Sequence, residues 1–425
     1  MDRWRMADMR WAFVTPEFVT ELKDSGGLAT YLYRISRALI DIGHEVEVFT
    51  LSEHPPGRLV HDGMLVHRVG RKRNRALYWA FRLTRLHWRL YEYYLEARTH
   101  LEGPAALATA LAAREAEKPF DVVQASEYGQ ASAFIRKRRH RPLLVRCSGA
   151  TDLYNQADQL AINADQRLLK RIERWTIRRA DLAYAPSQLV ADYYRAKYGL
   201  NVGVIRPPMF RETSTQVEPP VDLPNKFLFH YGLLGQRKGT LWLSRALPLA
   251  WKQCPELQVI LAGQLHHPYE AMKELSKQWQ DNNGRIRWLG PLPKAQLYAV
   301  LKRAWATVLP SEVDNLPNTV IESLMHGKPV IGTYGASINE LVEDGCTGGL
   351  VPLGNDQALA DMMVRAWHGQ PPFDGKPIPE PVIFKQMQPA IAAKTLTEAA
   401  QAQLPQRLRL RHQAIAPQAH HATNV

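Results

Sequence analysis

Three acids stand within one short stretch of this chain. In PSEVDNLPNTVIESLMHGKPVIG, residues 310–332, Glu312, Asp314 and Glu322 flank a turn and what reads as the start of a helix. Pro317 suits the entry to that helix, Asn318, Thr319 and Val320 its first turn, and Gly327 its stop before the strand KPVIGT. A helix start offers amides with no internal acceptor and a partial positive charge, which together hold phosphate. Glu322 shares a face with Asn318 and Thr319 by helical spacing. A carboxylate there can accept two hydroxyls of a sugar or ribose. Taken alone, the stretch equally fits acids that only complement a helix dipole.

Two glycine-containing turns stand where strands should end, the edge at which open α/β sheets bind ligands. DSGGLATY opens a helix with Gly26-Gly27, so that backbone amides can approach an anion with no Cβ in the way. A tight structural turn accounts for the pair as well. It is not the GxGxxG fingerprint, which counts against a dinucleotide site. YGLLGQRKGT, residues 231–240, presents Arg237 and Lys238 beside Gly239. The lysine is followed by Gly where a Walker sequence needs Ser or Thr. An Arg and a Lys on such a turn still suit a diphosphate, one by bidentate and the other by point-charge contact. A solvated pair is the plain alternative.

The elements that must position these residues alternate. MRWAFVT, the GG turn with its helix closed by Gly43, and HEVEVFT read as a βαβ unit. FDVVQAS, PLLVRCS and ADLAYAPS continue as strands. The pattern breaks at RPPMFRETSTQVEPPVDLP, residues 206–224, which has the composition of a linker. It resumes with KFLFHYG, LQVILAG, IRWLG, ATVLPS and KPVIGT. Two such halves imply two doubly wound domains with a cleft between them. VIFKQMQPAIAAKTLTEAAQAQL has helix-forming composition. RLRLRHQAIAPQAHHATNV reads as a mobile basic tail, with His420 and His421 part of it rather than a metal site.

The chain has 425 residues, 45% of them hydrophobic, enough for two buried cores. Cys147, Cys254 and Cys346 match no metal or CxxC spacing, so they are expected to be small core residues in a reducing compartment. No run approaches the roughly 18 apolar residues that span a bilayer. The expectation is a cytoplasmic protein, free or peripheral on the inner face of the cytoplasmic membrane. The net charge of +13 is concentrated in the first half, in residues 71–98, 135–141 and 167–179. In the first of these, Arg75, Arg82, Arg85 and Arg89 recur at helical spacing opposite a stripe of Trp79, Leu83, Leu86, Leu90 and Tyr94. That is either a solvated face over a core stripe or a surface for an anionic membrane or acceptor. No nucleic-acid-binding motif accompanies the charge.

Together these stretches resemble glycosyltransferase family 4, the retaining glycosyl transferases group 1 with GT-B fold, from about Met9 to about Leu404. FVTPEF…SGGLATYLYRISRALIDIGHEVEVFT is similar to the family's N-terminal strand, loop and helix, and APSQLVADYYRAKYGL…VIRPP to its entry into the interdomain linker. YGLLGQRKG, VILAG, IRWLG and VLPSEVDNLPNTVIESLMHGKPVIGTYGASINELV are similar to its nucleotide-sugar half.

The resemblance implies an α/β protein with two Rossmann-like domains facing each other across a cleft. The first, residues 1–206, would bind the acceptor, with a helix at about 382–404 packing back on it. Residues 207–381 would bind the nucleotide sugar, and 405–425 would be a flexible tail. It implies a metal-independent retaining hexosyltransferase that needs no cofactor. Its co-substrate would be a nucleoside-diphosphate sugar, of UDP or GDP, and its acceptor a glycan or lipid-linked glycan. The family's two acids are spaced so that Asp314 rather than Glu312 takes the first place, facing the sugar, with Glu322 on the donor ribose. Arg237 and Lys238 would neutralise the leaving diphosphate. Gly26, Gly27, Gly232, Gly263, Asn315, Leu316, Asn318, Thr319 and Val320 would line the donor. Glu127 and Asp152 would lie on the acceptor side. Where the family usually has a histidine after the strand PLLVRCS, this chain has Ser148, which cannot titrate near neutral pH. That departure keeps open a catalytically impaired, nucleotide-sugar-binding or regulatory protein on the same scaffold.

Overall fold

The computed structural model describes residues 8–22, 26–71, 73–83, 94–149, 151–158, 162–210, 217–280 and 284–404. The first half runs β1 (Arg10–Thr15), α1 (Gly27–Asp41), β2 (Glu45–Leu51), β3 (Gly57–His61), β4 (Met64–Val69), α2 (Arg75–Leu83), α3 (Leu95–Glu117), β5 (Val122–Ser126), β6 (Leu143–Arg146), α4 (Thr151–Ala157), α5 (Ala164–Arg179), β7 (Leu182–Ala185), α6 (Gln188–Tyr198) and β8 (Gly203–Val204). Its sheet has the order β3-β4-β2-β1-β5-β6-β7-β8. All neighbours pair in parallel except β3 and β4.

The second half runs β9 (Leu228–Tyr231), α7 (Thr240–Gln253), β10 (Val259–Ala262), α8 (Tyr269–Gln280), β11 (Ile286–Trp288), α9 (Lys294–Arg303), β12 (Ala306–Val308), α10 (Asn318–Met325), β13 (Val330–Thr333), β14 (Gly348–Val351), α11 (Asp356–Trp367) and α12 (Pro389–Gln401). Here the sheet is parallel throughout, in the order β11-β10-β9-β12-β13-β14. In both sheets the central strands are buried on both faces, since helices cover each side. The continuous apolar runs that mark them in the sequence have that cause.

Four strands, β3, β4, β8 and β14, did not stand out in the sequence. β3 and β4 form an antiparallel hairpin at the sheet edge, turned by Asp62 and Gly63 at φ 45° and 81°. β14 is glycine-rich, and a Cβ on Gly348 would come within 2.0 Å of the Val330 carbonyl oxygen. The chain passes between the domains twice at one place, where the Met209 amide donates to the Met387 carbonyl at 2.7 Å. α12 then packs on α1, with Ala393, Leu396 and Ala400 in the core that holds Trp11, Phe13 and Leu32.

Two expectations are corrected. Cys346 is exposed, unlike Cys147 and Cys254. Trp79, assigned above to a core stripe, is 52% exposed. Asn74 caps the start of α2 through the amides of Ala76 and Leu77, and the turn so fixed presents Leu77 and Tyr78 inward instead. Arg85, Leu86, Arg89 and Leu90 of that segment, and the tail at 405–425 with His420 and His421, lie outside the described residues.

A buried histidine supports the turn after β9. His230 Nδ1 donates to the Val308 carbonyl at 2.7 Å, and its Nε2 accepts the Thr240 hydroxyl at 2.9 Å. Thr240 Oγ1 in turn accepts the Gly235 amide at 3.0 Å. Burial pushes the imidazole pKa down to about 4. An unfolded chain therefore takes up this proton first as pH falls below about 6.5, and stability drains between there and about 4. Relative to His230→Asn, the unaltered protein should lose on the order of 3 kcal/mol across that window and nothing above it. Urea unfolding midpoints of both proteins at stepped pH measure this; a pH-independent difference would contradict a neutral buried ring.

Candidate active site

The glycine-rich turn after β9 is pressed onto the stretch that carries the acids. Gly239 has φ +75°, and a Cβ on it would fall 1.9 Å from the Pro310 carbonyl oxygen, so no other residue fits. The Glu312 amide donates to the Arg237 carbonyl at 2.8 Å. This backbone contact brings three successive side chains against three acids. Gln236 Nε2 donates to Glu312 Oε1 at 2.6 Å, and Lys238 Nζ pairs with Asp314 Oδ2 at 2.5 Å. Arg237 reaches the other domain: its guanidinium lies 4.2 Å over the Tyr154 ring, and its Nε is 3.9 Å from Asp158 Oδ2.

Asp314 is only 7% exposed, and its carboxylate is turned onto Lys238, Ser311 and the Asn315 amide. The resemblance implied a carboxylate facing a sugar. A side chain one carbon shorter than Glu, beside a lysine on the adjoining turn, closes on that lysine instead.

At the start of α10 fewer amides are available than expected. Leu316 sits at φ +57°, 4% exposed, with its side chain in the core and its amide donating to Ser337 Oγ at 2.6 Å. The Val320 and Ile321 amides both return to the Pro317 carbonyl. In this structure the Leu316 and Val320 amides, expected at the donor, are thus both bonded within the protein. Among the described residues, Asn318 and Thr319 keep amides with no protein acceptor. Thr319 is held from below: Tyr231 donates its hydroxyl to the Thr319 carbonyl at 2.7 Å, and the position of a Gly232 Cβ is 3.1 Å from Thr319 Cγ2. Gly263 is likewise a packing residue, since a Cβ there would meet the Gly232 carbonyl oxygen at 1.7 Å. Glu322, one turn on, accepts the Tyr298 hydroxyl at 3.1 Å.

The N-terminal half closes the other side. Gly27 faces α10, with the position of its missing Cβ 3.6 Å from Asn318 Nδ2. Beside Gly26 stands Glu17, whose carboxylate accepts the Ala29 amide at the start of α1 and whose pKa burial raises. Asn315 bridges the domains: its Nδ2 donates to the carbonyls of Cys147 and Ser148 at 3.1 and 2.9 Å, and its Oδ1 accepts the Ser187 hydroxyl at 2.6 Å. Glu127 is fully buried and takes the amides of Ser148 and Gly149, each at 2.6 Å. It shapes the turn after β6 rather than lining an acceptor surface. The Asp152 carboxylate is held by Lys170, Arg174 and Tyr198 within the N-terminal half.

Four residues were missed in the sequence. Arg146 ends β6, donates to the Ser148 hydroxyl at 2.6 Å and lies 3.8 Å over the Tyr31 ring. An arginine closing an otherwise apolar strand was the available signal. Tyr154 and Asp158 carried none beyond their type. Glu340 caps α6 from the other domain, accepting the Gln188 and Leu189 amides at 2.8 and 3.1 Å and pairing with Arg206 at 2.6 Å.

Among the described residues, no helix is long and apolar enough to cross a membrane, and no group of three or more His, Cys, Asp or Glu could hold a metal ion. Comparison with known proteins gives the family and the fold. Residues 26–207 match the glycosyl transferase 4-like domain, and residues 225–368 match glycosyl transferases group 1. The chain is 29% identical over 91 residues to the amylovoran biosynthesis glycosyltransferase AmsK of Erwinia amylovora, a match covering 20% of this chain and 22% of that protein. Among solved structures, the fold is similar to sucrose-phosphate synthase from Thermosynechococcus elongatus, at 16% identity, TM-score 0.63, and coverage of 96% of this chain and 98% of the other. It is also similar to Anabaena HepE in complex with UDP-glucose, at 18% identity, TM-score 0.56, and coverage of 96% and 98%. With family matches in both halves and a likeness of fold along nearly its whole length, the chain belongs to the group 1, family-4-like glycosyltransferases of GT-B fold.

Proposed function

We propose that this glycosyltransferase takes a sugar from a nucleoside diphosphate, most readily UDP, and transfers it with retention to a glycan or lipid-linked acceptor. One observation carries the reading: the turn that carries Arg237 and Lys238 is bonded to the Glu312–Asp314 stretch leading into α10, and the start of α10, with the open amides of Asn318 and Thr319, lies against Gly27. That arrangement meets a diphosphate with two cations and two N–H donors, and it stabilises negative charge as it develops on the leaving group. Glu322 takes the ribose hydroxyls, steadied by Tyr298. Asp314 holds Lys238 in place. The acceptor oxygen bonds to the anomeric carbon as its bond to phosphate breaks, on the same face, and the departing phosphate oxygen takes the acceptor's proton. The cations meet the leaving-group charge without a metal ion. UDP is favoured because HepE, of similar fold, is described with UDP-glucose.

The acceptor comes from the N-terminal half, and we place that half at an anionic membrane face on the cytoplasmic side. Trp79 and Arg75 are exposed on α2, while Arg171, Trp175 and Arg178 share one exposed face of α5. Both helices pack on α3. Arginine with exposed tryptophan suits an anionic interface, at roughly 1 kcal/mol for each basic residue near it.

A second reading rests on Ser148. Its hydroxyl accepts from Arg146, where a family histidine would stand, and a protein that binds nucleotide sugar without turnover is the alternative. Transfer and hydrolysis assays with UDP, GDP and ADP sugars separate the two. Lys238→Ala should lower kcat roughly 100- to 1,000-fold, as loss of a transition-state donor does. Glu322→Ala should raise the donor KM roughly tenfold or more, as loss of hydrogen bonds to a charged group does. Donor binding with no turnover on any acceptor favours the second reading, and full activity in Glu322→Ala rejects the assignment of the ribose site. NMR of the product anomer reports retention directly.

Vesicle sedimentation checks the membrane face. The protein should pellet with phosphatidylglycerol vesicles at low salt, release at high salt, and pellet less after Trp79→Ser with Trp175→Ser. Absence of binding at low salt would leave the two helices as solvated surface.

A further inference from the structure

Of the three side chains on the glycine-rich turn that meet an acid, two stay within their own domain and are hydrogen-bonded to the acid directly. Arg237 does not. Its counter-ion Asp158 comes from the segment after α4 in the other domain and approaches only to 3.9 Å, beyond hydrogen-bond distance. Asp158 is 7% exposed, yet among the described residues its Oδ1 has no hydrogen-bond partner, and Arg237 Nε has none either. A buried carboxylate and a partly buried guanidinium thus face each other with hydrogen-bonding capacity unused on both sides. Tyr154 holds the guanidinium in a plane from the same segment. His266 is the other titratable group near enough for both charges to act on it, and burial chiefly holds its pKa down.

We propose that Asp158 is a placeholder for the donor's diphosphate: in the donor-free protein it neutralises Arg237 across the domain boundary, and the arriving diphosphate displaces it. This rests on the reading that the diphosphate lies against Arg237. Phosphate oxygens offer the guanidinium the short, paired hydrogen bonds that Asp158 at 3.9 Å does not make. A phosphate on Arg237 brings a second negative charge beside the Asp158 carboxylate, and the repulsion between the two favours movement of the carboxylate away as the phosphate enters. Without donor, the exchange keeps a buried cation from standing unpaired. With donor, it frees the Tyr154–Asp158 segment on the acceptor side, so that donor occupancy is felt by the domain that receives the acceptor. Asp158 is therefore a positioning residue that acts through Arg237.

The full-length protein carrying Asp158→Asn tests this by calorimetric titration with inorganic pyrophosphate, which is independent of base, and with UDP. Apparent affinity is lowered by the fraction of molecules in which the site is occupied by its own side chain, so removing the competing charge should tighten both ligands roughly three- to tenfold at low salt. The donor KM should fall by a similar factor, with kcat moving less. The gain should vanish in an Arg237→Ala background, because the two residues act on each other. A purely structural ion pair predicts a lower melting temperature and unchanged or weaker binding, and that result overturns the proposal. Asp158→Ser, read in parallel with thermal melting, guards against a variant that fails to fold. If Arg237→Ala alone leaves pyrophosphate and UDP binding unchanged, the donor-site reading falls and the placeholder with it. If Arg237→Ala weakens binding while neither Asp158 variant tightens it, only the placeholder falls.

Discussion

The turn at Asp314 and Asn315 ties the two domains to the chemistry between them. Asp314 points back into its own domain, onto Lys238, and the neighbouring Asn315 points across to the carbonyls of Cys147 and Ser148 and to Ser187. One peptide unit thus sets the position of a cation and the position of the facing domain. Its conformation is secured by Leu316 at φ +57°, a left-handed conformation that a leucine holds only where its surroundings over-determine it. Here they do: the side chain is in the core and the amide is on Ser337.

Electrostatics at the site are arranged in opposing pairs. Every basic or amide group on the glycine-rich turn faces an acid, and the start of α1 faces Glu17. Without these partners the turn would gather uncompensated positive charge in a largely enclosed place, at high cost. Holding each cation against a carboxylate lowers that cost and leaves it available for exchange. Glu340 performs the corresponding task between domains, where it satisfies the open amides of α6 and the Arg206 guanidinium together.

Strands β1, β5, β9 and β10 were legible because parallel, doubly covered strands demand continuous apolar runs. The glycines at turns were legible because close backbone approach demands them, as Gly239 against Pro310 illustrates. The β3–β4 hairpin had a signal in its Asp62-Gly63 pair, a dipeptide suited to a tight hairpin turn, which the surrounding polar residues masked. Trp79 was misplaced because helical periodicity identifies a face without saying which neighbour covers it. Leu316 and Val320 were read as donor contacts because a helix start looks open in sequence, while their acceptors, Ser337 and the Pro317 carbonyl, are set by the folded turn.

By itself, then, the sequence determined the two doubly wound halves through local propensity, period and spacing, and the family through the resemblance of its motifs. Tertiary structure alone decided how those residues are partnered. Asp314 closes on Lys238, Asp158 faces Arg237 from 79 positions away, and Asn315 spans the boundary. The physical reason is that charge pairing and hydrogen bonding depend on distances of a few ångströms between segments, and chain order does not encode such distances until both domains have folded against each other.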